Sequence, residues 1–171
     1  MERFILLYGD LNEKSLARSW DEVESLLLSE LSPQDPFTVL IASQGGDIKL
    51  TFQFIERLSA LQRPWIARIY QAESAAAVVA LYAPRREIVA SGVFKLHLGP
   101  LAVDAYNASL TGAPHPTQTV EHFEFRKTII DLLQGNTLRF PSEKMRELLS
   151  TNWVTLSPAD CLEYGIVHEI V

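Results

Sequence analysis

The chain has 171 residues, 47% of them apolar, and a formal charge of −6, which suits one domain with a substantial core and leaves too little for two. With no basic cluster larger than Arg85-Arg86, a nucleic-acid partner is excluded as an expectation; the lone Cys161 rules out an intramolecular disulfide framework and a cysteine-rich zinc site, and fits a reducing cytoplasm. No window reaches the roughly 18 apolar residues of a membrane helix, and Met1-Glu2-Arg3 leads into Phe4–Tyr8 without a cleavage pattern, so a soluble protein is expected, with no membrane partner.

Phe4–Tyr8 reads as a first strand. Leu16, Trp20, Val23, Leu27 and Leu31 follow at spacings of three and four, the buried stripe of a helix packed on a sheet. Pro33 and Pro36 break the chain before Thr38–Ala42, a continuous apolar run of the kind covered on both faces in a parallel sheet. After Gly45-Gly46, the residues Ile48, Phe52, Ile55, Leu58 and Leu61 recur with helical period up to Pro64; Trp65–Tyr70 gives a third strand and Ser74–Ala83 the next helix. This β-α-β-α-β-α order implies right-handed crossovers, a mostly parallel sheet, and ligand sites at the carboxyl ends of the strands.

Beyond Pro84, Glu87–Ala90 and Val93–His97 read as two short strands parted by Ser91-Gly92. Residues 99–116, rich in Gly and Pro, are too long for a simple connection and read as an irregular arm. A charged helix from about Thr117 to Gln134 stops at Gly135-Asn136 and is expected to stand off the core, its Phe123, Phe125, Ile129 and Ile130 then implying a partner chain. Ser142-Glu143 starts another helix to about Ser150, Ser157-Pro158-Ala159-Asp160 caps a last short one, and Ile166–Val171 is a final strand.

Ser74 lies where an apolar strand ends and a small-residue helix begins. There a hydroxyl projects from a strained turn beside free helix N-terminal N–H groups able to hold an oxyanion. Taken alone, the residue is more simply a helix N-cap whose hydroxyl accepts a backbone N–H. Gly45-Gly46 and His97 stand at neighbouring strand ends and could complete a nucleophilic site, although by themselves they read as a tight turn and a structural histidine. His115, His122 and His168 lack ligand spacing, so neither metal nor cofactor is expected.

Four stretches then resemble the ClpP family, the proteolytic subunit of the Clp protease. Ile41-Ala42-Ser43-Gln44-Gly45-Gly46-Asp47-Ile48 resembles its glycine-rich strand end, Gln71-Ala72-Glu73-Ser74-Ala75-Ala76 its nucleophile turn, Phe94-Lys95-Leu96-His97 its histidine-bearing strand, and Leu156 to Val171 its terminal segment. The resemblance implies an α/β fold with a ClpP/crotonase-like β-α-β spiral core, a mostly parallel sheet and a projecting handle helix. It further implies a single domain over 1–171, with core 1–98 and 150–171 and a handle region of about 99–149. Carried over, Ser74 is the nucleophile, His97 the general base, and the N–H groups of Gly46 and Ala75 the oxyanion hole, in a serine peptidase that hydrolyses peptides or unfolded polypeptide within a homo-oligomeric ring or stacked rings.

Departures accompany the match. The family's third catalytic residue is an aspartate, where this chain reads Ser150-Thr151-Asn152-Trp153. Asn152 is placed at that position by one count and Trp153 by the other; Asn152 is taken as the third residue, giving a weakened triad. Glu73 beside the nucleophile is expected to turn away and pair with a cation such as Arg68 or Arg126. The short segment before Phe4 weighs against docking of an unfoldase ATPase. Two other readings stand beside the peptidase. One is a catalytically impaired structural or regulatory subunit of ClpP type; the other is a crotonase-like acyl-CoA enzyme, because Gly45-Gly46-Asp47-Ile48-Lys49 also resembles that superfamily's strand end.

Overall fold

Strand and helix alternate through the first half of the chain in its computed structural model, which describes residues 4–28, 35–98, 116–135, 139–151 and 153–171, without the side chains of 26–28, 116–122 and 151. The elements run β1 (Phe4–Leu11), α1 (Glu13–Leu28), β2 (Phe37–Gly46), α2 (Ile48–Ala60), β3 (Trp65–Glu73), α3 (Ala75–Tyr82) and β4 (Arg85–His97). The second half adds α4 (Pro116–Gly135), α5 (Ser142–Thr151), β5 (Trp153–Leu156), α6 (Pro158–Glu163) and β6 (Glu169–Ile170). Leu31, Pro33, the 99–115 arm with His115, Asn136 and Asn152 lie outside the described residues.

The described strands form a sheet in the order β1-β2-β3-β4-β5, with β6 also on β4. Strands β1 to β4 pair in parallel, as alternation with crossover helices requires, and only β5 runs antiparallel. Ile5, Leu7, Val39, Ile41, Ala67, Ile69, Phe94 and Leu96 are buried under the helical layer. The opposite face differs from the expectation of two covered sides: Leu40 and Ala42 are only half-buried, and Phe4, Leu6, Tyr8 and Tyr70 are exposed. Among the described residues helices cover one side, and the second face of β2 is left partly open. At the β1 edge, Leu6 N–H donates to Glu22 Oε2 at 2.7 Å and Leu6 C=O accepts from Ser19 Oγ at 2.8 Å, so α1 occupies that residue's outward-facing backbone groups.

Two strands expected in 87–97 are one. The register jumps from Ile69↔Ile88 to Gln71↔Val93, placing a bulge where Ser91-Gly92 marked a break. A Cβ on Gly92 would lie 2.5 Å from Ile88 Cγ1 and 2.9 Å from Val89 O, so a side chain is excluded where the strand folds on itself. Before the bulge β4 pairs with β6, after it with β5. The final strand is shorter than expected, Glu169–Ile170: Val167 N–H turns back to Cys161 O, and only from His168, which donates to Arg86 O, does the segment lie along β4.

Helix α3 is apolar on all sides, and Ala75 through Leu81 are buried, which marks it as the central helix rather than a surface one. Arg86 ties its C-terminal end to the turn that follows α6, donating to Ala83 O at 2.8 Å and Leu81 O at 3.4 Å on one side and to Ile166 O at 2.5 Å and Gly165 O at 3.5 Å on the other. Burial lowers this guanidinium's pKa, and the carbonyl cluster compensates its charge. Helix α4 does not stand wholly free: Phe125, Ile129 and Leu133 are buried and Ile130 packs on the core, while Phe123 is 64% exposed. The Ser157–Asp160 capping box starts α6 as expected.

Candidate active site

Ser74 sits between β3 and α3 at φ 55°, ψ −123°, a conformation L-residues avoid and one that costs on the order of 1–3 kcal/mol. The surroundings hold it there: its N–H donates to Lys95 O at 3.0 Å, and its carbonyl accepts from Ala77 N at 3.1 Å and Val78 N at 3.3 Å. The simpler reading as an N-cap does not describe the side chain, which makes no capping hydrogen bond. Instead Ser74 Oγ lies 2.5 Å from His97 Nε2.

The glycine pair approaches this turn from β2. Gly45 has φ 95°, and a Cβ there would lie 2.8 Å from Ser74 Cβ, 2.8 Å from Glu73 O and 3.0 Å from Ala75 N, so only glycine lets β2 pass this close. Gly46, at φ 155°, abuts the Leu11 backbone instead. Ser43, buried, donates Oγ to Gly9 O at 2.5 Å and accepts Gly45 N–H at 3.1 Å. That bond occupies the amide of Gly45 and leaves Gly46 as the member of the pair considered for anion binding. The role of Ser43 was not legible in the sequence, where it is one more small residue before Gly-Gly.

Strand register delivers the imidazole. Glu73 pairs with Lys95 across β3 and β4, and His97, two residues on, shares the face of Lys95. Across the antiparallel ladder His97 faces Trp153, whose ring stacks on the imidazole with centroids 4.2 Å apart and planes at 24°. Phe125 of α4 bounds the ring further out, at 5.9 Å and 53°. Aromatic pairs of this kind contribute about 0.5–1.5 kcal/mol beyond burial.

Glu73 turns away from the hydroxyl, with different partners from those expected. Its Oε1 accepts from Gln71 Nε2 at 2.7 Å and its Oε2 lies 3.9 Å from Lys95 Nζ. Arg68 is engaged with Glu87 at 3.0 Å, and Arg126 Nη1 is buried without a hydrogen-bond partner among the described residues. The position is set by the ladder: Lys95 is the residue directly across from Glu73. The structure therefore unites Ser74, His97 and the Gly45-Gly46 turn, with Ala75 opening α3, while Asn152 lies outside the described residues.

Other features stand apart. A 630 Å³ cavity between α2 and α4, lined by Ile48, Phe52, Glu56, Tyr82, Lys127 and Asp131 among others, shares no lining residue with the Ser74 pair. Among the described residues no three His, Cys, Asp or Glu side chains converge as metal ligands, and no helix is long and apolar enough to cross a membrane. Burial pushes the Cys161 thiol up to about 12, so it is unreactive as a nucleophile at neutral pH.

Comparison with known proteins agrees with the fold. No curated protein matches the chain. Among solved structures, an asparagine-to-aspartate mutant of ClpP1 from Listeria monocytogenes superimposes with a TM-score of 0.74 at 21% identity, over 99% of this chain and 91% of that one; at this identity the likeness establishes the fold. The Clp protease family model matches residues 1–171, and the chain belongs to the Clp protease family.

Proposed function

We propose that the protein is a serine peptidase acting on peptides through an acyl-enzyme formed on Ser74, with His97 as general base. The observation that carries this reading is the 2.5 Å approach of Ser74 Oγ to His97 Nε2 from a positive-φ turn whose hydroxyl makes no cap bond. Family membership over the whole chain supports peptide rather than acyl-CoA chemistry.

In this mechanism Ser74 Oγ attacks the carbonyl carbon while its proton passes to His97 Nε2. The oxyanion is held by the N–H groups of Gly46 and Ala75, and collapse breaks the C–N bond as the imidazolium returns its proton to the departing amine. Water then repeats the sequence on the acyl ester. Asn152 is proposed to accept from His97 Nδ1, which fixes the tautomer without supplying charge for the imidazolium. Substituting an amide for the triad carboxylate costs a serine protease about 10⁴-fold in turnover, part of it because the wrong tautomer is held; here the missing charge alone weakens the base, so hydrolysis is slow and favours small peptides and activated esters.

The reading includes one domain, a cytoplasmic location and a homo-oligomer. The exposed apolar sheet face of Phe4, Leu6, Tyr8 and Tyr70 supports the last, since such a patch favours association. Labelling with a fluorophosphonate probe tests the chemistry: the adduct maps to Ser74 and disappears in Ser74→Ala and His97→Ala. Absence of labelling at every pH, or labelling indifferent to His97, refutes it and leaves a structural subunit of ClpP type.

A further inference from the structure

We propose that Trp153 is a positioning residue for His97, doing by ring stacking part of what a carboxylate does in a Ser-His-Asp triad, and that Lys95, drawn to Glu73, keeps the indole in place. The inference rests on the reading of His97 as the general base.

An imidazole keeps its Nε2 on a serine hydroxyl only while rotation about its side-chain torsions is restrained. Here the flat face of Trp153, 4.2 Å away and inclined by 24°, blocks rotation of the ring out of its plane, and Phe125 at 5.9 Å limits it from α4. The stack is built by register: Trp153 is the residue directly opposite His97 in the antiparallel ladder, a spacing of about 5 Å between Cβ atoms that brings large rings together. Trp153 is not core filling. It remains 42% exposed, while Val154 and Leu156 on the same short strand are buried.

The indole is itself restrained. Lys95 Nζ lies 4.4 Å from the centroid of the Trp153 ring and 3.9 Å from Glu73 Oε2, and Gln71 Nε2 donates to Glu73 Oε1 at 2.7 Å. The series Gln71, Glu73, Lys95, Trp153, His97, Ser74 thus runs unbroken from the end of β3 back to the turn that follows it. When His97 takes the Ser74 proton it becomes a cation on an aromatic face, an attractive arrangement. The indole therefore favours the charged intermediate as well as the ring's orientation, and the carboxylate adjoining Ser74 is turned into part of the support.

The test uses the intact chain with an activated peptide ester. Trp153→Leu is expected to lower kcat about 10- to 30-fold with KM within about threefold, and Trp153→Phe, which keeps a ring, to stay within about threefold of the parent; Lys95→Met gives an intermediate loss. Retention of full kcat in Trp153→Leu overturns the proposal, as does an equal fall in Trp153→Phe. Intrinsic fluorescence judges the stack without turnover, because a protonated imidazole quenches an indole in contact with it. A step between about pH 5 and 8, where imidazoles titrate, is expected in the parent and is lost in both His97→Ala and Trp153→Phe. An unchanged titration in either variant removes the stack. A parent that never labels at Ser74 refutes the hydrolytic reading separately, and the fluorescence step then decides alone whether Trp153 positions His97.

Discussion

Gly45→Ala is the sharpest perturbation the fold offers. The added methyl would sit 2.8 Å from Ser74 Cβ and Glu73 O and 3.0 Å from Ala75 N, roughly 1 Å inside the 3.5–4.0 Å at which carbon atoms rest. None of these neighbours is the mobile end of a side chain, so relief requires the turn itself to move. Adopting φ 95° costs an L-residue about 1–2 kcal/mol, and overpacking about 1–3 kcal/mol more, for a combined loss of about 3 kcal/mol. In a domain of this size that lowers Tm by about 6–12 °C. A displacement near 1 Å at the nucleophile costs on the order of 100-fold in rate, read as the second-order rate of fluorophosphonate labelling. Gly165→Ala is the control: its φ is 75° but a Cβ there meets nothing within 4 Å, so it costs about 1 kcal/mol and labelling stays at the parent rate. Should Gly45→Ala label as fast as the parent, with stability reduced no more than in Gly165→Ala, the close approach of β2 to the turn is not what sets the Ser74 geometry.

Three further outcomes follow from features away from the site. Folded protein should resist iodoacetamide at pH 8 and react at Cys161 only on unfolding, because burial pushes that thiol up to about 12. The thiol's pKa is raised above its unfolded value of about 8.5, so its contribution to stability is intact below that pH and is lost as pH rises, by about 1.4 kcal/mol per unit; urea midpoints compared with Cys161→Ala check the slope, and equal slopes refute it. Arg86→Met leaves the carbonyls of Leu81, Ala83, Gly165 and Ile166 without their donor and should cost about 3 kcal/mol, against less than about 1 kcal/mol for the exposed Arg85→Met; thermal melts separate the two. Leu6→Glu with Tyr70→Glu on the open sheet face should reduce the mass seen by light scattering without loss of helical signal, and an unchanged mass would place the assembly surface elsewhere.

The alternation of β1 to α3 was legible because each element carries its own period, and Ser74, Gly45 and His97 because strand ends converge in a parallel sheet. What escaped belongs to relations between strands. The apolar residues of α2 showed helical period, but Phe54 rather than Phe52 faces the core, a choice made by the sheet below. Phe125 and Ile129 read as a free helix face and are buried against the chain's own core, since nothing local says which neighbour a helix meets. Likewise Lys95, not Arg68, faces Glu73 because register, invisible in one strand, sets that pair. The stack of Trp153 on His97 has the same origin: residues 56 positions apart in number meet only once β5 reverses beside β4.

The bulge at Gly92 acts as a vernier between the two halves of β4. Ahead of it the strand is locked to the chain terminus through Glu169 and Ile170; across it the buried side is kept, with Arg86 and Ile88 before and Phe94 and Leu96 after, while the pairing with β3 slips from Ile69↔Ile88 to Gln71↔Val93 and so sets Lys95 opposite Glu73. Removing one residue from Val89–Gly92 would rotate every later side chain through the sheet and bury the imidazole, with no change at the nucleophile. The chemistry of Ser74 is thus hostage to a kink that never touches it.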